Sequence, residues 1–132
     1  MALLLRRIPS THHVIETWDL KRGRPSRAAV ERRARASMAA LARFVAGRNW
    51  YKMNPPPILY IGVIERSVSG QLHVHLLVCL RKKLTPLAKQ RFTQLWRKWA
   101  GFCVIKRVYD RNGLARYLSK AAKSNDDFFL FA

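Results

Sequence analysis

The sequence predicts an α+β protein built around one antiparallel β-sheet, and three observations support this prediction. Apolar residues make up 49% of the 132 residues, which is typical of a folded protein. Short segments rich in β-branched and aromatic residues alternate along the chain with longer segments of helical periodicity. The length suits a single domain over residues 1–132 and is too short for two.

The first strand and the first helix are predicted by composition and by capping residues. HHVIETWDL, residues 12–20, mixes β-branched and aromatic residues as strands do. After the basic turn KRGRPS, apolar residues recur at helical spacing from Ser26 to about Ala46. Ser26 is a suitable N-cap, and Gly47 is a suitable stop.

A β-hairpin is predicted next. The NPPP segment, residues 54–57, forces an extended turn because proline restricts both itself and the residue before it. The strand-like segments ILYIGVIE, residues 58–65, and QLHVHLLVCL, residues 71–80, are joined by the short linker RSVSG. Two strands joined this closely are expected to pair antiparallel.

The last part of the chain predicts a helix, a strand and a further helix. Thr85 and Pro86 begin a second helix, whose predicted buried stripe is Ala88, Phe92, Leu95 and Trp99. FCVIKRVY, residues 102–109, predicts a fourth strand, and DRNG leads into a third helix at about residues 113–124. The first six elements match the ferredoxin-like, split β-α-β plan, and the third helix can lie against the other face of the sheet.

Charge indicates the class of partner. The chain has 26 Lys and Arg against 7 Asp and Glu, for a net charge of +19 and a pI near 11.4. A folded chain this basic repels itself, and nucleic-acid phosphates are the commonest polyanions that such a charge serves, because each neutralised phosphate releases a counterion. The alternative is a basic surface that serves only solubility.

Cellular location is predicted from the cysteines and the N-terminus. Cys79 and Cys103 lie in apolar strand-like segments without metal-binding spacing, as expected of core residues in a reduced, cytoplasmic protein or in a host cell if the protein is viral. The N-terminus MALLLRRIPS has too short an apolar cluster for a signal peptide or a membrane span. We therefore expect no membrane partner.

The segment GQLHVHLLVCL places two histidines in an apolar strand. His73 and His75 point the same way because side chains alternate along a strand. Glu65 shares their face if the hairpin pairs residues whose numbers add to an even value. Two imidazole nitrogens and one carboxylate oxygen suit Mn²⁺ or Mg²⁺ bound to phosphate and also tolerate Zn²⁺, Co²⁺ or Ni²⁺. The alternative is a pair of hydrogen-bonded or surface histidines. His12 and His13 have opposite parity and no obvious partner, so we interpret them as ordinary residues.

A tyrosine and a lysine lie on one flank of the third helix, GLARYLSKAAK. Tyr117 falls at the edge of the apolar arc, and Lys120 lies one turn further along. The arc itself is formed by Leu114, Ala115, Leu118, Ala121 and Ala122. A half-buried tyrosine beside a solvated lysine is the alternative interpretation. Combined with a metal site on a basic protein, however, a phenol and a cation indicate attack on a phosphodiester.

These segments resemble motifs of a known family. ILYIGVIERSVSGQLHVHLLV resembles the second motif of the HUH endonucleases, and GLARYLSK resembles the Y-x-x-K third motif of rolling-circle replication initiators, the Rep proteins of plasmids, phages and small viruses. The resemblance implies that Glu65, His73 and His75 hold the divalent metal, that Tyr117 is the nucleophile, and that Lys120 assists at the phosphate. It also implies nicking and rejoining of single-stranded origin DNA through a 5′-phosphotyrosine.

Contacts to the DNA are predicted more loosely. Basic residues of KRGRPSR and RNW are candidates for holding phosphates. Trp50, Tyr51, Trp96 and Trp99 are candidates for stacking on bases, although Trp96 and Trp99 also suit the core.

Other functions stay open at this point. A single-tyrosine HUH transposase has the same motif order, and a non-catalytic ferredoxin-like nucleic-acid binder would need aromatic residues on its sheet face. A partner-bound regulatory domain is a third alternative, which depends on the C-terminal DDFFLFA; that segment could cover a sheet edge or mediate dimerisation. The sequence contains no ATPase P-loop, so helicase activity would come from a separate host chain or from a part of the gene product absent here. It leaves open whether the protein works as a homodimer.

Overall fold

The computed structural model describes residues 10–19, 21, 23–66, 71–121 and 128–131, with only the backbone of residues 121 and 128–131 described. The strands are β1 His12–Trp18, β2 Ile58–Arg66, β3 Leu72–Leu80, β4 Gly101–Arg107 and β5 Phe128–Phe131. The helices are α1 Arg27–Ala46, α2 Pro86–Trp99 and α3 Arg111–Ala121, with a short 3₁₀ helix at Trp50–Lys52.

All strands form one antiparallel sheet in the order β4-β1-β3-β2-β5. The first four strands with α1 and α2 have the predicted ferredoxin-like arrangement, so the predicted fold class is confirmed. The fifth strand was not predicted as a strand. It pairs with β2, so the C-terminal segment covers a sheet edge, which is one of the alternatives that the sequence left open.

Both long helices begin at the predicted caps and lie on one face of the sheet. The Ser26 hydroxyl accepts a hydrogen bond from the amide of Ala29, and the Thr85 hydroxyl accepts one from the amide of Ala88. Gly47 ends α1 at φ 92°, a conformation that glycine adopts without strain. The even-numbered residues of β3 and the apolar stripes of α1 and α2 form the main core.

The buried stripe of α2 differs from the prediction. Trp96 is buried together with Ala88 and Phe92, whereas Leu95 and Trp99 are only partly buried. Trp96 lies in the core because its ring packs edge-on against Trp18, with ring centres 4.9 Å apart. The interpretation of Trp96 as a core residue is therefore confirmed.

The third helix packs on the opposite face, as predicted, and covers half of it. Ala115 and Leu118 form a second core cluster with Ile61, Val63 and Leu77 of the hairpin. Its predicted continuation beyond residue 121, including Ala122, lies outside the described residues, as do residues 1–9 and the hairpin linker at 67–70. The β1–β4 half of this face carries no helix among the described elements, and Phe102 and Val104 are exposed there. No helix in the described part of the chain is long and apolar enough to cross a membrane.

Candidate active site

The hairpin register brings the predicted acid and both histidines to one face. Glu65 lies directly opposite His73, and Val63 lies directly opposite His75, in a ladder that pairs residues 58–66 with 80–72 without a bulge. Directly opposed residues of an antiparallel pair point to the same face, with Cβ atoms about 5 Å apart. The shared face is therefore as predicted, while the metal-binding roles of these residues stay a prediction.

His75 links the acid to a third histidine. Its Nε2 lies 2.8 Å from Oε2 of Glu65, and its Nδ1 lies 3.0 Å from Nε2 of His13. The side chain is buried, and burial lowers the pKa of His75, while the charge and hydrogen bond of Glu65 oppose this change. A neutral imidazole with one donor and one acceptor nitrogen satisfies both contacts.

His13 was interpreted as an ordinary residue without a partner, and this interpretation is wrong. Its ring stacks on His75, with ring centres 5.2 Å apart and planes 25° apart. Burial, then His75, then Lys106 lower the pKa of His13 to about 4. The parity of His13 is as the sequence predicted. What the sequence does not reveal is that β1 lies beside β3, with Ile15 opposite His75.

His73 is held through one ring nitrogen only. Its Nδ1 lies 3.0 Å from the hydroxyl of Thr17, which is the residue directly opposite it on β1. Among the described residues, Nε2 of His73 has no hydrogen-bond partner, so this nitrogen can accept a ligand. A second hydrogen bond of this kind commonly fixes the orientation of a metal-binding imidazole.

Tyr117 lies over the acid and the central histidine. Its ring packs edge-on against His75, with ring centres 5.8 Å apart, because α3 is anchored by the buried neighbours Ala115 and Leu118. Burial raises the pKa of Tyr117, and the charge of Glu65 and a hydrogen bond to that residue raise it further. The side chain is still 52% exposed, so a substrate can reach it.

Lys120 occupies the position that the sequence predicted. It follows Tyr117 by three residues on α3, so both lie on one flank, and its side chain is exposed. An exposed ammonium at this distance along the helix can reach an anion bound beside Tyr117.

The donor set suits a small divalent cation, although it is not assembled around a common point. Within the described residues, no three His, Cys, Asp or Glu side chains are grouped so that they could hold a metal ion. The direct Glu65–His75 hydrogen bond occupies two of the three predicted donors. Two neutral nitrogens and a carboxylate on neighbouring positions of one sheet face nevertheless fit Mn²⁺ or Mg²⁺ by ligand chemistry, and binding would replace that hydrogen bond.

The uncovered half of the sheet continues from this site. Phe102 lies opposite Thr17 and Val104 lies opposite Ile15, so both share the face of the histidines. They are 61% and 45% exposed. The sequence-based prediction of this face rested on the hairpin alone and missed Phe102. Both faces of β4 carry apolar residues, so strand alternation alone does not show which is open.

The predicted stacking residues lie elsewhere. Trp96 is buried, and Trp99 is partly buried with the guanidinium of Arg33 over its ring. Trp50 and Tyr51 follow α1 and line an apolar cavity with Met38 and Tyr60, on the helix-bearing side. Of the predicted phosphate contacts, Arg22 lies outside the described residues.

Comparison with known proteins gives one match. The model of a family of replication-associated proteins, the ORF2 family, matches residues 17–125, which include Glu65, His73, His75, Tyr117 and Lys120. No curated protein and no solved structure gives a significant match to the chain.

Proposed function

Because the chain belongs to this family of replication-associated proteins, we propose that it initiates DNA replication by nicking and rejoining single-stranded DNA through Tyr117. The observation that carries the proposal is the position of the Tyr117 phenol, which is hydrogen-bonded to Glu65 and packed against His75. This arrangement joins the two segments that resemble HUH endonuclease motifs. Family membership supports a role in replication, and the nicking chemistry is our proposal.

In the proposed step, Oη of Tyr117 attacks the phosphorus of one phosphodiester. The bond from phosphorus to the 3′ oxygen breaks, the phosphoryl group stays on the tyrosine as a 5′-phosphotyrosine, and the 3′ oxygen leaves with a proton as a hydroxyl. The carboxylate of Glu65 already accepts a hydrogen bond from the phenol, so it is placed to take the phenolic proton. A 3′ hydroxyl reverses the step by attacking the ester, and no external energy is needed.

The charges around the site suit this reaction. Glu65, His73 and His75 would hold a divalent cation, which would polarise the scissile phosphodiester and offset the negative charge of Glu65. Lys120 would bind a phosphate oxygen beside Tyr117 and stabilise the charge that develops there. His13 would keep the His75 ring oriented through the 3.0 Å contact between their ring nitrogens.

The uncovered β1–β4 half of the sheet supplies a path for the strand. Phe102 offers an exposed ring on which a base can stack, and Lys106, opposite His13, is a nearby cation for a phosphate. Since Thr17 lies opposite Phe102 and contacts His73, this path leads directly to the proposed metal ligands.

The same exposed ring favours a second candidate, a non-catalytic nucleic-acid binder that uses its open sheet face. A transposase would use the same chemistry as the initiator and differs in the DNA that it joins. Detection of covalent chemistry separates the binder from both enzymes.

The experiment captures covalent adducts without knowledge of the origin sequence. The protein is incubated with a pool of random single-stranded oligonucleotides and Mn²⁺ or Mg²⁺, denatured, washed free of uncoupled DNA and analysed on a denaturing gel. We expect a covalent adduct with the unmodified protein and none with Tyr117→Phe, because that variant lacks the attacking oxygen.

Tyr109→Phe is the matched control, since Tyr109 is 91% exposed and lies outside the site. This variant should keep the adduct. An adduct that persists in Tyr117→Phe would contradict the assignment of the nucleophile. Binding of the pool without any adduct would favour the passive binder.

A further inference from the structure

A cationic cavity lies beside the far end of β3. It has a volume of about 510 Å³, and its lining includes Lys82, Lys83, Lys89, Arg107, Leu80 and Ile105. We call this cavity the cationic bay. In the described part of the chain, no acidic side chain lines it and none of the four cations forms an ion pair with a carboxylate. The bay is therefore a site for an anion.

The bay and the candidate active site lie on opposite faces of the sheet. His12, which also lines the bay, pairs with Arg107 and shares the parity of Glu16, whose side chain contacts Ser37 of α1. His13 has the other parity and contacts His75. Along β3, the bay lies five residues beyond His75, a distance of roughly 16 Å. A strand seated at Tyr117 therefore does not occupy the bay.

Local electrostatics concentrate positive charge in the bay. Burial lowers the pKa of His12, and Arg107 and Lys89 lower it further, so two of the cations act on the same ring. Helix α2 begins beside the bay at Thr85 and has no acidic residue in its first turn, so the partial positive charge of its N-terminus is not offset there. At about 30 Å³ per water molecule, the volume accommodates more than one phosphate group.

The lining indicates which form of nucleic acid fits. No aromatic side chain other than the hydrogen-bonded ring of His12 lines the bay in the described residues, so unstacked bases find no large ring to stack on. Lysines without stacking partners contact phosphates regardless of the bases, which suits a duplex whose bases are paired. The other face has the opposite character, with exposed Phe102 and Tyr117.

We propose that the cationic bay binds the phosphate backbone of duplex DNA that flanks the nicked strand. The proposal rests on the proposed function only for the placement of the cleaved single strand on the other face. The protein would then hold double-stranded and single-stranded parts of one origin on opposite faces of its sheet.

The test measures binding of a mixed-sequence 20-base-pair duplex between about 50 and 200 mM NaCl. Lys83→Ala/Lys89→Ala removes two bay cations, and Arg43→Ala/Arg91→Ala removes two exposed cations that do not line the bay. Since each lost phosphate contact lowers the salt slope by about one and the affinity at 0.1 M salt by about eightfold, we expect the bay variant to lose about two units of slope and roughly 50-fold in affinity. The control should lose much less of both.

Each alternative result overturns the proposal. Equal losses in both double variants would show that only net charge matters. An equal loss of affinity for a single-stranded 20-mer in the bay variant would assign the bay to the cleaved strand. Displacement of the duplex by millimolar inorganic phosphate at constant ionic strength would assign it to a free anion. Adduct formation on a short single strand, measured separately, reports on Tyr117, so failure of the bay and failure of the nuclease are distinguishable.

Discussion

Glu16 carries a carboxyl group into the core between β1 and α1. It is fully buried, and its Oε2 lies 2.7 Å from the hydroxyl of Ser37. That hydroxyl also lies 2.7 Å from the carbonyl oxygen of Ala34, and it has only one hydrogen to donate. Both contacts are satisfied when Glu16 is a neutral acid that donates to Ser37. Burial raises the pKa of Glu16 well above its ordinary value, with the Ser37 hydrogen bond opposing, so the neutral form is consistent with the geometry.

Glu16→Gln should therefore change how stability depends on pH. In the unmodified protein, the folded state keeps a proton that the unfolded state loses above about pH 4.5, so this stabilisation is complete below that pH and falls as pH rises toward the folded pKa. The slope approaches about 1.4 kcal/mol per pH unit. Glutamine has no such slope, so the variant should gain stability relative to the parent from about pH 5 to about pH 8. Urea unfolding of both proteins measures this difference.

The difference between the two proteins isolates Glu16, because the lowered pKa values of His13 and His75 give both proteins the same opposite slope. Glu31→Gln is the matched control, since Glu31 only forms a part-exposed ion pair with Arg35. A stability difference that stays constant with pH would contradict the neutral state of Glu16.

At the scale of elements, local patterns predict much of the structure. The caps Ser26 and Thr85 were identified correctly, and parity placed Glu65 on the histidine face once the hairpin register was known. These features depend on residues close together in the chain. The contacts of His13 and the exposure of Phe102 depend on the strand order β4-β1-β3, which joins residues 60 to 90 positions apart. Spacing within a single segment does not encode such pairings.

Gly101 determines how closely β4 can approach β1. A Cβ atom at this position would overlap the carbonyl oxygen of Thr17 and lie 2.8 Å from the amide nitrogen of Asp19. Both are backbone atoms, so they cannot rotate away as a side chain can. We expect Gly101→Ala to lower the free energy of unfolding by about 2–4 kcal/mol, measured by urea denaturation.

Gly113→Ala provides the comparison for Gly101. Its Cβ would meet the carboxylate of Asp110, which can rotate away at the expense of one capping hydrogen bond, worth about 1 kcal/mol. If Gly101→Ala proved no less stable than Gly113→Ala, close strand approach would not be limiting at β4.

For the whole molecule, the positive charge is scarcely balanced by acids. Of the seven acidic residues, Glu16 is buried, Glu65 lies in the site and Glu31 pairs with Arg35. Asp19 and Asp110 accept hydrogen bonds from backbone amides, and the other two lie outside the described residues. The five described acids are thus engaged locally, and the 26 cations are left to repel one another or to bind an external polyanion.

Salt should therefore have opposite effects on stability and on DNA binding. At about 0.01 M salt the screening length is about 30 Å, longer than the radius of gyration of roughly 14 Å expected for a chain of this length, so all cations repel one another across the fold. Raising NaCl to about 0.3 M shortens that length to a few ångströms, which should raise the melting temperature of the free protein by several degrees. Over the same range, affinity for a single-stranded 20-mer should fall log-linearly as counterion release loses its advantage. Thermal melts and anisotropy titrations in matched buffers measure both trends. A melting temperature that stayed constant or fell with salt would mean that the cations are already neutralised within the fold, and the charge would then no longer favour a polyanionic partner.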